Sequence, residues 1–98
     1  MDQNIEAYKF IASLKQLPFV DEIWLFGSRA RGDHSDRSDI DLALVCPSAT
    51  SYDWSKVLEV IDNADTLLKI DCLRFDELAE DDRLRENILR FKKVIYKR

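Results

Sequence analysis

The chain has 98 residues, of which 46% are hydrophobic and 35% charged, with a formal charge of −4. That length fits one domain spanning residues 1–98, with a modest single core. The acidic balance argues against broad nonspecific binding to nucleic acid, which needs clustered positive charge, so no direct nucleic-acid contact is expected. No apolar run approaches the roughly 18 residues of a membrane span. Met1-Asp2-Gln3-Asn4 lacks the basic-then-apolar pattern of a secretion signal, so the expected compartment is the cytoplasm, away from any membrane.

Residues from about Asn4 to Leu17 read as a helix, with Ile5, Tyr8, Ile11, Ala12 and Leu14 at helical spacing. Pro18 ends it. A first strand follows over about Glu22 to Phe26, then a glycine-marked turn with a short helix. A second strand runs from about Asp39 to Cys46, and Pro47 opens a polar loop. The next helix spans about Tyr52 to Asp65, with Trp54, Val57, Leu58, Ile61 and Ala64 on one stripe and Ser51 or Asp53 as its cap. Leu67 to Phe75 reads as a third strand and Asp82 to Phe91 as a helix with Leu84, Ile88 and Leu89 inward. Val94-Ile95-Tyr96 closes the chain as a short edge strand, flanked by Lys92, Lys93, Lys97 and Arg98, whose charges discourage edge pairing.

Both glycines of the chain, Gly27 and Gly32, fall between the first two strands. Gly27 ends a strand where the backbone must turn without a side chain. Ser28 then begins a short helix with free N–H groups, an anion site for phosphate. Gly32 is expected only to close that helix. The second strand opens with Asp39 and Asp41, which share a face because side chains alternate along a strand, while Ile40 and Leu42 turn to the core. Paired carboxylates repel and call for a cation. Mg²⁺ takes oxygen ligands and is often held by one or two carboxylates plus substrate phosphates. Together these features point to chemistry on a nucleoside triphosphate.

Asp71 stands in the middle of an apolar strand, where an acid needs a reason. If the third strand lies beside the second, Asp71 joins Asp39 and Asp41. Three carboxylates suffice for two ions roughly 3.5–4 Å apart. A solvent-facing aspartate on a half-exposed strand is the plainer alternative. Arg29, Arg31 and Arg37 could contact phosphates or a partner protein, or simply be solvated. His34 in its polar loop reads as structural or solvent-facing. Trp24 and Phe26 read as core. Cys46 and Cys72 read as buried free thiols, and one histidine is too few for a zinc site.

The string Gly27-Ser28, ten residues, then Asp39-x-Asp41 resembles the signature of the DNA polymerase beta-like nucleotidyltransferases. The fuller Gly-Ser-Arg-Ala-Arg-Gly with Ser-Asp-Ile-Asp-Leu is similar to their minimal nucleotidyltransferase (MNT) branch. The resemblance covers most of the chain, although only the motif is highly specific. It implies an α/β (α+β) nucleotidyltransferase fold, a small mixed sheet with helices mainly on one face. It implies Mg²⁺ and ATP or another nucleoside triphosphate, with Gly27 and Ser28 binding the triphosphate and Asp39, Asp41 and Asp71 as metal-binding catalytic residues. The expected reaction is AMP transfer from ATP to a hydroxyl on a HEPN-type partner encoded nearby, the chain serving as antitoxin in a toxin–antitoxin system. Homo- or hetero-oligomers are compatible with this. Two alternatives stay open: a contact-only binding module, and a small-molecule nucleotidyltransferase completed by a separate subunit. One departure is local, since relatives often carry a glycine just before the last strand, where this chain has Phe91-Lys92-Lys93.

Overall fold

Alternation along the two central strands decides which side of the sheet each residue serves. In the computed structural model, which describes residues 5–98, β1 (Glu22–Phe26) and β2 (Ile40–Val45) pair antiparallel, with Phe26 opposite Asp41. β3 (Ile70–Arg74) joins β2 in parallel and β4 (Lys93–Lys97) joins β1 antiparallel, giving a mixed four-stranded sheet in the order β3-β2-β1-β4. Parallel pairing requires a long crossover, which α3 (Ser51–Asp62) supplies between β2 and β3.

One face carries Ile23, Leu25, Ile40, Leu42 and Leu44, packed under α1 (Lys9–Lys15) and α3 with Phe10, Ile11, Leu14 and Val57. The other face holds a smaller cluster of Trp24, Phe26, Ala43 and Phe75, closed by Ile88 of α4 (Arg83–Phe91). The larger core thus lies under the expected helices, and the opposite face is also covered, by α4. The remaining helix, α2 (Gly27–Arg31), sits at the end of β1.

Several boundaries moved for identifiable reasons. Asn4 lies outside the described residues. The expected first helix is interrupted at Tyr8, whose backbone is extended, between a 3₁₀ turn at Ile5–Ala7 and α1. No local side chain caps α1. Its first N–H groups, of Lys9 and Phe10, donate to the Asp65 carboxylate at 3.0 and 3.1 Å. Those backbone bonds, that of Lys9 foremost, lower the Asp65 pKa. Asp65 therefore belongs to the loop after α3 rather than to the helix. The cap of α3 is Thr50, not Ser51 or Asp53: Asp53 N–H donates to Thr50 Oγ1 and Thr50 N–H to Asp53 Oδ2, a reciprocal capping box.

β3 starts later than expected, leaving Leu67 fully exposed, and Phe75 leaves the strand to enter the second cluster through a 3₁₀ turn. Asp39 immediately precedes β2. The chain passes from α4 to β4 through Lys92, whose extended backbone needs no glycine. The thiols of Cys46 and Cys72 are free, and burial pushes them up to about 11 and about 12. No helix among the described residues is long and apolar enough to cross a membrane.

Replacing Leu42, which is completely buried, with alanine is expected to destabilise the protein by about 2–5 kcal/mol. Leu58→Ala, at a half-exposed position on α3, should cost far less. Urea unfolding of the two variants measures the difference.

Candidate active site

β1 ends at Phe26, and the backbone turns at once into α2. The turn is made by Gly27 at φ 72°, a left-handed conformation that side chains disfavour. A second constraint is steric. A Cβ placed on Gly27 would collide with the Asp41 carboxylate, because Asp41 sits opposite Phe26 in the β1–β2 ladder. Gly32, the left-handed residue that closes α2, has open space where its Cβ would be, and its N–H donates to the Ser28 carbonyl at 2.9 Å. Of the two glycines, only Gly27 touches the site.

The parallel ladder places Asp71 of β3 beside Asp41 of β2. The two carboxyl groups are neighbours across that ladder and interact electrostatically. The Asp41 pKa is raised to about 6, first by burial, then by the neighbouring Asp71 and, more weakly, by Asp39. Lys69 pulls the other way, with its ammonium 3.7 Å from Asp71. Asp39 is exposed and acts on Asp41 through charge at longer range. Register therefore sets Asp41 and Asp71 side by side, while Asp39 lies at the exposed rim. Ser28, half-buried, follows Gly27. Among the described residues no group of three His, Cys, Asp or Glu side chains forms a ready-made metal site. Mg²⁺ retains waters and shares the phosphate ligands of its substrates, so the pair Asp41 and Asp71 fits that ion without a third carboxylate.

The three arginines behave differently from one another. Arg31 is an exposed partner of Asp33, at 3.3 Å, and Arg37 is exposed. Arg29 is neither solvated nor turned to a ligand. It is 5% exposed, and its guanidinium donates to the backbone carbonyls of Ser38 and Asp36. Sequence left open a contact with phosphate, a contact with a partner protein or a solvated position, whereas the three-dimensional path of the loop over 33–39 brings backbone carbonyls to Arg29. His34 is half-buried in that loop, and Trp24 and Phe26 are buried, as expected of core residues.

The model of the polymerase beta nucleotidyltransferase domain matches residues 8–98. The chain belongs to this family. The nucleotidyltransferase is similar to solved structures as well. A candidate nucleotidyltransferase from Sulfolobus solfataricus is 25% identical, with TM-score 0.58, covering 92% of this chain and 76% of that one. A toxin–antitoxin with AMP-PNP is 20% identical, with TM-score 0.63 and coverage of 92% and 73%. A mutant of the toxin–antitoxin MntA-HpeT is 18% identical, with TM-score 0.60 and coverage of 92% and 72%. The last two likenesses concern the fold. No curated protein matches the nucleotidyltransferase.

Two outcomes follow from the geometry. Gly32→Ala is expected to cost only the left-handed backbone, about 1–2 kcal/mol. Gly27→Ala should cost more, because its Cβ also displaces Asp41; urea unfolding compares them. The second outcome concerns pH. The folded state holds the Asp41 proton up to about pH 6, against 3.8 for the free side chain. Between those values the native state binds more protons than the unfolded one, so stability falls as pH rises. Asp41→Asn removes this loss. Its melting temperature in chelator-containing buffer should exceed wild type at pH 7.5, with the advantage shrinking towards pH 4. An advantage independent of pH would contradict this.

Proposed function

We propose that this chain transfers AMP from ATP to a hydroxyl of a partner protein, releasing pyrophosphate, in a Mg²⁺-dependent reaction. The observation that carries the reading is the contact between a glycine-only turn and paired carboxyls: Gly27 fits against Asp41, and Asp41 is in register with Asp71. A phosphate seat beside acidic ligands suits a triphosphate carrying a divalent cation.

In this reading Gly27 and Ser28 seat the triphosphate. Asp39 and Asp41 would hold the cation, and Asp71 completes the site. The raised proton affinity of Asp41 supports the fit, since it marks a place that favours added positive charge. When bound, the cation neutralises phosphate charge and stabilises the departing pyrophosphate. Asp71 is half-buried and accepts the proton of the acceptor hydroxyl. The acceptor oxygen bonds to the α-phosphorus as the bond from that phosphorus to the pyrophosphate oxygen breaks.

The family resemblance supplies the partner: a HEPN-type toxin, with this chain as its antitoxin in the cytoplasm. Two fold relatives are toxin–antitoxin proteins, one with AMP-PNP and the other with two aspartates replaced by glutamate. They support the reading without fixing the partner of this chain.

Intact mass spectrometry tests it. The chain is mixed with the product of the neighbouring gene, Mg²⁺ and each nucleoside triphosphate in turn. The expected result is one or more AMP-sized mass increments on the partner with ATP, slowed about 10²–10³-fold or more in Asp39→Asn and Asp41→Asn. A stable complex with no adduct from any nucleotide, neutralised equally well by the Asn variants, would establish a contact-only module instead.

A further inference from the structure

Asp39 stands outside regular structure, one residue before β2, yet its backbone is tied on both sides. On its C-terminal side, the Ile40 N–H donates at 2.9 Å to the carbonyl of Lys69, the residue just before β3. On its N-terminal side, the Ser38 carbonyl accepts from both Nε and Nη2 of Arg29, at 3.2 and 2.9 Å. The same Nη2 also donates to the Asp36 carbonyl at 3.3 Å. The loop has its own small turn, in which Ser35 N–H donates to Ser38 Oγ at 3.0 Å and Ser38 N–H to the Ser35 carbonyl at 3.1 Å. Those bonds shape the turn, whereas Arg29 fastens it to α2.

Arg29 is almost fully buried, and among the described residues it forms no ion pair with a carboxylate. Burying a guanidinium with only carbonyl partners is costly, and an apolar side chain would fill the same space at less cost. What the guanidinium adds is its planar fork, which directs two N–H groups at one carbonyl oxygen. A lysine ammonium has no such fork.

We infer that Arg29 is a positioning residue: from inside α2 it grips the backbone before Asp39 and so sets where that carboxylate stands when nucleotide and a divalent cation bind. The inference rests on the proposed role of Asp39 as a metal ligand. Groups that orient a metal ligand typically account for 10–100-fold in metal affinity or activity.

The test uses Mn²⁺ as the probe, with AMP-PNP present, and follows the free ion by electron paramagnetic resonance. Arg29→Lys keeps the charge and loses the fork. Arg29→Met removes the buried charge and guards against failure to fold, which circular dichroism checks. Both variants are expected to bind Mn²⁺ roughly 10–100-fold more weakly than wild type. Asp39→Asn should weaken binding too, and adding Arg29→Met to it should produce little further loss, because the two act through one carboxylate. Amide exchange over residues 36–40 should accelerate in both Arg29 variants without metal.

Wild-type Mn²⁺ affinity in a folded Arg29 variant, or fully additive losses in the double variant, would overturn the inference while leaving nucleotidyl transfer intact. If the wild type takes up no Mn²⁺ with nucleotide, the proposed function falls. The positioning claim is then decided by amide exchange, and an unchanged loop over 36–40 overturns it.

Discussion

The approach of the β1–α2 turn to the Asp41 carboxylate constrains everything around it. Phe26 pairs with Asp41 across one ladder and Asp71 with Asp41 across the other, so three chain segments converge on a single side chain. The convergence leaves no space for a Cβ at residue 27 and brings two acids together in a partly desolvated place. A strand register one residue different would turn Asp41 into the core and Leu42 out. The apolar face holds that register: Ile40, Leu42 and Leu44 are completely buried, and their burial offsets the electrostatic cost on the opposite face.

This division of labour also explains which features could be read from sequence. β1 and the short helix after it follow from local signals, namely an apolar run, a glycine that turns the chain, and a glycine that closes α2. The alternation of Ile40-Asp41-Leu42 separated the two faces, although Asp39 falls just before the strand, and the isolated acid of β3 pointed to Asp71 beside Asp41. What escaped depends on partners distant in the chain. The cap of α1 comes from Asp65, more than fifty residues away, and no periodicity in Asn4–Leu17 signals the break at Tyr8. The burial of Arg29 escaped because its partners are backbone carbonyls, which carry no residue-type signature.

Net charge was informative only as an average. Residues 83–98 hold seven of the fifteen basic residues and one of the nineteen acids. Several of these cations lie against rings rather than carboxylates: Lys92 over Trp24 at 4.7 Å and Arg85 over Phe75 at 5.1 Å. Long basic side chains can cover aromatic surface while keeping their charge in water. A basic end of the chain therefore completes the smaller core, which the overall acidity conceals.

The two cores support the acids in different ways. The larger one packs behind β2, where Ile40, Leu42 and Leu44 are completely buried, and holds the register that sets Asp41 beside Asp71. The smaller one, built from Trp24, Phe26 and Phe75, lies on the same face of the sheet as Asp41, whose pKa burial raises. A wetter neighbourhood would relieve the repulsion and also weaken the pull on a cation. Asp39, at the exposed rim, has no comparable packing, and its backbone is held instead by hydrogen bonds from Arg29 and to Lys69 through the residues on either side. Half-buried carboxyls on neighbouring strands can be placed by the sheet itself. A carboxylate at the rim, where solvent and substrate must enter, has to be placed by its backbone.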